Sequence, residues 1–304
     1  MHRWSLGACV DSLLTKRAAR RSPAYDRTQT LPTRQIDTTT GPVRLYDSGP
    51  GEKPCVVMVP DGPNVIEHYA DLIKRLTPSL RVVCFEMPGF GFSLPKGSYR
   101  HSLAEGSRVV LDVLDHLSVD QATLAFSCVN GFYALEAARL APHRIQGLVL
   151  SQTPSLTSMH RWVERIIPWA LRVPILGQVI GWGFRKRIIA RWYRKALPMG
   201  MAPDALKSTA LHAMDQGACF CLAGVVQGMT KEVMPGLTDL DIPCTVTWGA
   251  QDRSHAVTDP QSLRQHMPRA RVVVFEECGH FPDIEAPGLF SSLVLEQALG
   301  HTSR

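Results

Sequence analysis

A polar corner between two apolar segments carries the first candidate reactive group of this sequence. Ser127 and Cys128 follow a strand-like run at residues 122–126 and precede a helical apolar pattern. Where a strand turns abruptly into a helix, the apex side chain projects from the sheet edge. The helix N-terminus then presents free backbone N–H groups and a positive dipole end beside it. Such a corner suits a thiolate nucleophile and an oxyanion.

Segments with strand and helix patterns alternate around this corner. Two strand patterns flank T-T-G-P and predict an antiparallel hairpin. The strand patterns lie at residues 34–38, 43–47, 55–59, 81–86, 122–126, 147–150, 244–248 and 272–275. One helical pattern follows the third strand and ends near residue 76. Further helical patterns lie at residues 103–117, 260–266 and 286–299. This alternation predicts an α/β fold with a mostly parallel eight-stranded sheet flanked by helices.

The alternation stops after residue 150 and resumes near 244. The intervening segment has helical spacing and many large apolar residues, so we expect an inserted helical cap and not a second sheet. The sequence therefore predicts a basic N-terminal extension at 1–32, a core at 33–155 and 236–304, and a helical cap at 156–235.

Four segments in chain order resemble the α/β-hydrolase family with a helical cap, and the resemblance covers about residues 33–299. P-C-V-V-M-V-P-D-G-P-N resembles the strand and oxyanion loop, and E-M-P-G-F-G-F-S resembles the family's D-x-P-G-x-G-x-S loop. W-G-A-Q-D resembles the acid strand, and C-G-H-F-P resembles the histidine loop. Aligned without gaps over 119–150, the family's G-x-S-x-G-G falls on F-S-C-V-N-G, which puts Cys128 at the nucleophile position.

The resemblance implies a triad in the family's order of nucleophile, acid and histidine. Cys128 would attack, His280 would take its proton, and Asp252 would hold the imidazole and stabilise its cation. The backbone N–H groups of Gly62 and Val129 would form the oxyanion hole. His255 is interpreted as a surface or pocket-rim residue, and no metal or cofactor is predicted.

The oxyanion loop departs from the family pattern. Pro60 and Asp61 stand where the family has His-Gly, and Gly62 follows them. Asp61 either caps the following turn or places a carboxylate near the site that raises the pKa of the thiol. Capping is the preferred interpretation.

The corner itself also departs from the pattern. Two family glycines, which let strand and helix approach closely, are Phe126 and Asn130 here. Asn tolerates unusual backbone angles, and Gly131 follows. Phe126 implies either a widened contact between strand and helix or a register in which Ser127 is the apex. The gapless match on both flanks favours Cys128.

A cysteine nucleophile would form a thioester, which water, an amine, an alcohol or a thiolate can attack. Dienelactone hydrolase and some carrier-protein thioesterases are cysteine-dependent members of this fold. The resemblance therefore implies a hydrolase or acyltransferase acting on an apolar ester, lactone or thioester. Two alternatives stay open: a non-catalytic binding protein with an altered elbow, and an enzyme that cleaves or condenses C–C bonds with the same triad.

The cap carries the chain's positive charge. Residues 156–200 hold nine Lys and Arg and one acidic residue, against a net charge of +6 for the whole chain. The cationic face is either simply solvated or attracts an anion, such as an acidic acyl-carrier protein, coenzyme A or a lipid surface. Nucleic acid is not expected as a partner, because the sequence resembles no nucleic-acid-binding fold and large apolar residues interrupt the basic stretch.

Cysteine usage and the N-terminus bear on location. The eight cysteines lack disulfide-scaffold spacing, so we expect reduced thiols in a cytoplasmic protein. Cys219 and Cys221 form a C-x-C without a second pair at zinc-ligand spacing, so we expect no zinc site there. No apolar run is long enough to span a membrane. Apolar positions in the first 14 residues allow a short amphipathic helix, which would pack on the main domain or lie on a lipid surface or partner.

Overall fold

The structure is a computed structural model that describes residues 5–21, 31–233 and 241–300. The predicted junction of cap and core at residues 235 and 236 lies outside the described residues. Arg3 and Arg27 of the predicted basic extension also lie outside them.

The strands are β1 (Thr33–Thr38), β2 (Gly41–Asp47), β3 (Cys55–Val59), β4 (Arg81–Phe85), β5 (Phe90–Gly91), β6 (Ala122–Ser127), β7 (Ile145–Ser151), β8 (Cys219–Phe220), β9 (Cys244–Gly249) and β10 (Arg271–Phe275). The helices are α1 (Leu6–Arg21), α2 (Ala70–Leu76), α3 (Leu103–His116), α4 (Asn130–Leu140), α5 (Leu156–Ile166), α6 (Trp169–Arg172), α7 (Leu176–Ala196), α8 (Asp204–Asp215), α9 (Leu222–Met229), α10 (Pro282–Glu285) and α11 (Pro287–Leu299).

The central sheet has eight strands in the order β1-β2-β4-β3-β6-β7-β9-β10. The pairings of β1 with β2 and of β2 with β4 are antiparallel. The remaining pairings in this sheet are parallel. The predicted mostly parallel eight-stranded sheet is therefore confirmed, and each of its strands lies within two residues of its predicted bounds. The predicted helix at 260–266 is instead a short 3₁₀ turn, Ser262–Gln265.

Successive side chains along each strand point to opposite faces of the sheet, so the core is divided between the two faces. Val57 and Val59 of β3 join the cluster under α3 and α4, whereas Val56 and Met58 join the cluster under α2 and α11. Because both faces are covered, β3 is buried throughout and reads as an uninterrupted apolar run. Its carboxyl end is one of the strand ends that position the candidate site.

The segment between β7 and β9 is mainly helical and contains α5 to α9. The expectation that it adds no second sheet is wrong in one detail, because β8 pairs with β5 in a two-stranded antiparallel ribbon. The Phe90 and Phe220 rings pack edge to face across this ribbon, with centroids 6.0 Å apart. Each strand has only two residues, which is too short for a periodic signal in the sequence.

The N-terminal helix α1 packs on α7 and α9. Its apolar residues are divided: Leu6 and Leu13 are each 69% exposed, whereas Val10 and Leu14 are half-buried and Ala8 is buried. The buried Asp11 carboxylate accepts a hydrogen bond from the Gln178 amide of α7 at 3.3 Å. A polar contact therefore contributes to the docking of α1, and only part of the predicted apolar pattern packs on the domain. Within the described residues, no helix is long and apolar enough to cross a membrane.

Candidate active site

The turn between β6 and α4 holds Cys128 in a strained backbone conformation. Its φ of 54° lies in the left-handed region, which is uncommon for a residue other than glycine. Contacts from the end of the neighbouring strand fix the turn. The Cys128 backbone N–H donates to the Ser151 carbonyl at 2.7 Å, and the Cys128 carbonyl accepts from the Thr153 hydroxyl at 3.0 Å. The side chain of Cys128 consequently lines a cavity beneath the cap.

Ser127 does not occupy the apex of this turn. It is the last residue of β6, and its buried hydroxyl donates to the Asp283 carboxylate at 2.6 Å. The same carboxylate oxygen accepts from the Tyr69 hydroxyl at 2.7 Å. The Ser127 side chain is thus tied into the core, and the alternative register with Ser127 at the apex is not adopted.

Asn130 and Gly131 allow the turn to form although the family's two glycines are replaced by Phe126 and Asn130. The Asn130 side chain is buried and donates to the Pro60 carbonyl at 3.3 Å, which joins the turn to the oxyanion loop. Gly131 makes the close approach, because a Cβ there would lie 2.3 Å from the Thr153 hydroxyl oxygen. Phe126 packs edge to face on Phe85 in the core, with centroids 6.1 Å apart.

His280 and Asp252 form a buried pair on the loops after β10 and β9. The Nδ1 atom of His280 lies 2.6 Å from Oδ2 of Asp252. The Ser254 backbone N–H and hydroxyl both donate to the other carboxylate oxygen at 2.7 Å. Burial opposes ionisation of Asp252, but His280 and these donors together hold its pKa well below the usual range.

The same pair sets the protonation of the imidazole. Burial alone would lower the pKa of His280, but the Asp252 carboxylate, with a contribution from Asp61, raises that pKa well above its ordinary value. The Cys128 sulfur lies within 4.8 Å of a ring nitrogen of His280. The structure therefore brings together the three side chains that the sequence proposed for the triad.

Gln152 is a site residue that the sequence reasoning missed. It follows β7 directly, and it has a φ of 50°. Its side-chain amide donates to Asp252 Oδ2 at 2.7 Å and accepts from the Gly249 backbone N–H at 2.9 Å. Gln152 thus fixes the carboxylate that orients the imidazole. Its polar side chain at the carboxyl end of a buried strand was the available signal.

Asp61 does not act mainly as a turn cap, so the preferred interpretation was wrong. Its Oδ2 lies 3.2 Å from Nε2 of His280, on the ring edge opposite Asp252. Burial raises the pKa of Asp61, and the contact with His280 opposes that rise. The structure therefore puts a second carboxylate against the histidine, which was the alternative left open.

The thiol is affected by the same carboxylate. Burial and the charge of Asp61 raise the pKa of Cys128 to about 11, although His280 and the Val129 backbone N–H pull it down. Val129 and Gly62, the two predicted oxyanion residues, both line the cavity beside Cys128. A Cβ at Gly62 would lie 2.4 Å from the Phe90 ring, so only glycine fits there without a shift.

His255 is buried, which corrects its interpretation as a surface or rim residue. Its ring stacks on Trp162 with centroids 5.0 Å apart and on His280 with centroids 5.4 Å apart. Burial lowers the pKa of His255 to about 3, so the ring is neutral at physiological pH. The cap helix α5 carries Trp162 and packs over the loop that contains His255. The polar sequence of that loop had indicated an exposed position.

The cavity beneath the cap has a volume of about 420 Å³ and an apolar wall. The wall is formed mainly by cap side chains, among them Met159, Trp162, Val163, Ile166, Ile167, Leu171, Ile188, Trp192, Phe220, Val225, Val226 and Met229. Asp61 and Cys128 lie at its reactive end. Arg191 and Lys195 also line it and extend into a neighbouring surface depression that Arg194 and Arg253 share.

The fold and this strand-end constellation define a class of α/β enzymes with a nucleophile on a sharp turn. Residues 56–293 match the alpha/beta hydrolase family. The chain therefore belongs to the alpha/beta hydrolase family.

Similar proteins have several activities. The chain is 27% identical over 213 residues to the dihydrolipoyllysine-residue acetyltransferase component of the acetoin cleaving system of Pseudomonas putida. That match covers 69% of this chain and 54% of the relative, so the chain spans about half of that protein's length. It is 24% identical over 242 residues to the pimeloyl-[acyl-carrier protein] methyl ester esterase of Nitrosomonas europaea, covering 73% of this chain and 86% of the relative. Epoxide Hydrolase A from Mycobacterium thermoresistibile superposes with a TM-score of 0.74 at 16% identity, over 89% of this chain and 99% of that one.

Proposed function

We propose that this protein is a hydrolase or acyltransferase that forms a covalent acyl-enzyme on Cys128 from an apolar ester, lactone or thioester. One observation carries the proposal. Cys128 lies on a strained turn at the end of an apolar cavity, with its sulfur within 4.8 Å of the His280 ring. A nucleophile, a base with a carboxylate partner and a water-poor acyl pocket thus meet at one point.

Acylation would begin with proton transfer from the Cys128 thiol to His280. The sulfur forms a bond to the substrate carbonyl carbon, and the carbonyl π electrons move to the oxygen. The backbone N–H groups of Gly62 and Val129 stabilise that oxyanion. When the tetrahedral intermediate collapses, the bond to the leaving group breaks and His280 returns the proton to it. Asp252 keeps the imidazole oriented and stabilises its cation.

Deacylation uses the same groups in reverse. His280 removes a proton from water, an alcohol, an amine or a thiol, which attacks the thioester carbonyl. Cys128 leaves as a thiolate and recovers the proton from the imidazolium. A thioester accepts amine and thiol acceptors as well as water, which is the chemical reason to keep acyl transfer beside hydrolysis.

The cavity supports an apolar acyl group as the part of the substrate that is recognised. Its volume of about 420 Å³ lies within the range of small-molecule sites, and its wall is aliphatic and aromatic. Each methylene that leaves water for such a wall contributes roughly 0.8 kcal/mol. We therefore expect activity to rise with acyl chain length until the cavity is filled.

Arg191 and Lys195 support an anionic carrier for that acyl group. They line both the acyl cavity and the adjoining surface depression, whereas Lys186 of the same helix is paired with Asp215. An acidic acyl-carrier protein, coenzyme A or an anionic membrane surface would place negative charge at this depression. The similarity to an esterase that acts on an acyl-carrier-protein ester is consistent with this choice.

All eight cysteines are free, which supports a reducing, cytoplasmic location.

The proposal is tested by mass spectrometry of the protein after incubation with acyl thioesters, esters and lactones of graded length. We expect a mass increase equal to the acyl group on the peptide that contains Cys128, lost in Cys128→Ala. His280→Ala should abolish acylation at neutral pH. Ser127→Ala is the matched control, because the neighbouring hydroxyl is tied to Asp283. Acylation elsewhere, or turnover that survives Cys128→Ala and His280→Ala, would refute the mechanism.

A non-catalytic binding protein is the second candidate function, and one feature favours it. The Asp61 carboxylate lies at the Nε2 edge of His280, and the pKa of Cys128 is raised to about 11. A site that has lost catalysis would bind apolar ligands without acylation. Binding of a non-hydrolysable acyl analogue, together with no acyl-Cys128 from any substrate in the series, would establish that alternative.

A further inference from the structure

His255 carries a buried ring nitrogen that the proposed mechanism does not use. Within the described part of the chain its Nε2 has no hydrogen-bond partner, while its Nδ1 lies 3.1 Å from the Thr258 hydroxyl. The ring is stacked between Trp162 and His280, so it cannot turn Nε2 towards solvent without losing both stacks. A buried polar atom without a partner is costly, and a bound ion is one explanation for such an atom.

Three potential metal donors converge around the His255 ring. The Cys128 sulfur and one ring nitrogen each of His255 and His280 all lie within 4.8 Å of one another, and all three residues are buried. At that spacing, some point lies within about 2.8 Å of all three donors. Zinc binds imidazole nitrogen at about 2.0–2.1 Å and thiolate sulfur at about 2.3 Å. Each donor would have to close by less than about 1 Å, which side-chain rotation can supply.

The atoms around the donors are arranged as they are around protein-bound metals. The Nδ1 of His280 is held by Asp252 at 2.6 Å, which leaves Nε2 as its outward-facing nitrogen. A proton on Nδ1 of His255, shared with Thr258, leaves the lone pair of Nε2 free. Metal-binding histidines commonly have such a hydrogen bond on the second nitrogen.

The Asp61 carboxylate lies beside this group of three donors. Its Oδ2 is 3.2 Å from Nε2 of His280. A carboxylate at that position stabilises a nearby dication by its charge without being one of the three clustered donors. One thiolate and two imidazoles form a donor set that suits zinc and not Mg²⁺ or Ca²⁺.

We propose that Cys128, His255 and His280 form a zinc-binding site, and that zinc reversibly inhibits the enzyme by occupying the nucleophile and the base. The Cys128 S–H bond and the His280 Nε2–H bond break as the sulfur–zinc and nitrogen–zinc bonds form, and both protons pass to solvent; no oxidation occurs. The binding claim rests on the donor geometry alone. The inhibition claim rests on the proposed function, because only a catalytic Cys128 would lose turnover on coordination.

The test is a direct metal titration of the intact, metal-free chain. Co²⁺ is the spectroscopic probe, because a thiolate ligand gives a charge-transfer band that nitrogen and oxygen ligands do not. We expect one equivalent of Co²⁺ to produce this band and one equivalent of Zn²⁺ to remove it. Mg²⁺ should leave it unchanged. The band should disappear in Cys128→Ala and persist in Cys9→Ala, the control for a cysteine on α1.

Removal of a single imidazole separates a built site from surface binding. His255→Phe keeps an aromatic ring between Trp162 and His280 but removes the nitrogen, so the Kd for Zn²⁺ should rise at least tenfold. His160→Phe, a cap histidine whose Nε2 contacts the Met229 carbonyl, is the control and should not change the Kd. An unchanged Kd in His255→Phe, or a Co²⁺ band that survives Cys128→Ala, would overturn the zinc site.

Protection of the thiol distinguishes this proposal from the proposed function. Zn²⁺ should slow iodoacetamide labelling of Cys128, read by mass spectrometry, whether or not the protein is an enzyme. Metal-free protein that forms acyl-Cys128 but gives no Co²⁺ band refutes only the zinc site. A Co²⁺ band without acylation by any substrate refutes only the catalytic mechanism and the inhibition that rests on it.

Discussion

Replacement of Asp61 by Asn should make Cys128 more reactive. Asp61 contacts His280 Nε2 at 3.2 Å, and its negative charge opposes formation of a second negative charge on the sulfur. Asn has nearly the same shape and can still contact the imidazole, so the change removes charge more than volume. We expect the pKa of the thiol to fall.

The size of the expected pKa shift follows from the distance between Asp61 and the Cys128 sulfur. Both groups lie against the His280 ring, which puts them within roughly 8 Å of each other. Two unit charges at that distance repel by about 2 kcal/mol at an effective dielectric constant of about 20, which corresponds to roughly 1.5 pKa units. At pH 8 the thiolate fraction should rise about thirtyfold. A less basic thiolate is also a weaker nucleophile, and with a Brønsted coefficient of about 0.5 the net rate gain is about fivefold.

The assay is the rate of iodoacetamide alkylation of Cys128 between about pH 6 and 12, followed by mass spectrometry of the peptide. Asp61→Asn should move the midpoint of the rate profile to lower pH by roughly one to two units, in line with the Coulomb repulsion between the two charges. Asp11→Asn is the matched control, because Asp11 is a buried acid with a raised pKa that contacts Gln178 in the cap. Its profile should coincide with that of the unmodified protein.

An unchanged midpoint in Asp61→Asn would refute the view that the carboxylate controls the thiol. A midpoint that moves to higher pH would show that Asp61 acts mainly by holding His280 as a cation that stabilises the thiolate. Circular dichroism and the thermal unfolding temperature identify a variant that is simply misfolded. In that case Asp61→Glu, which keeps the charge, should restore the original profile.

Three further predictions follow from the structure. Asp252→Asn should lower turnover about a thousandfold or more, measured on the best substrate, because the imidazole loses its orienting carboxylate. Charge reversal of Arg191 and Lys195 together should raise the KM for carrier-linked substrates about tenfold or more at low salt and should have little effect on the KM for small esters. The control Lys186→Glu should change neither KM. Equal effects on both substrate types would contradict carrier docking. Burial raises the pKa of Asp11 to about 7, above its unfolded value, so the folded state holds an extra proton and unfolding free energy should fall as pH rises from about 4 to 7. Asp11→Asn should remove that fall, which is on the order of 4 kcal/mol, in urea denaturation at pH 4 and pH 8.

The sequence predicted the sheet well because its central strands are buried on both faces. Such strands read as uninterrupted apolar runs, and polar loops mark their ends. Cys128, Asp252 and His280 each follow a strand, and the carboxyl ends of parallel strands meet at one edge of the sheet. The resemblance to the family's motifs, together with these positions at strand ends, was therefore sufficient to propose these three side chains.

The errors concern contacts between the core and the cap. His255 looked like a surface residue because no local pattern shows that Trp162 covers it. Helix α1 packs on the domain as expected, but Leu6 and Leu13 are exposed while Asp11 is buried against Gln178 of α7, a partner that no local pattern reveals. Asp61 was expected to cap a turn because capping is a local interaction, whereas its actual partner is His280, more than two hundred residues away.

The charges around His280 connect the two proposals. Asp252 is ionised, and a cationic His280 balances it; an ionised Asp61 then leaves the buried group with a net negative charge. A thiolate on Cys128 adds a further negative charge in a low-dielectric cavity, so the neutral thiol is favoured at rest. The proposed acylation therefore requires a neutral His280 that can take the thiol proton, with Asp61 protonated or displaced from Nε2, since an anion there also repels the oxyanion. A zinc dication would reverse this balance, because it would be stabilised by the same carboxylate that makes the free thiolate costly. The residue that departs most from the family pattern thus both restrains the proposed nucleophile and places negative charge beside the proposed metal donors.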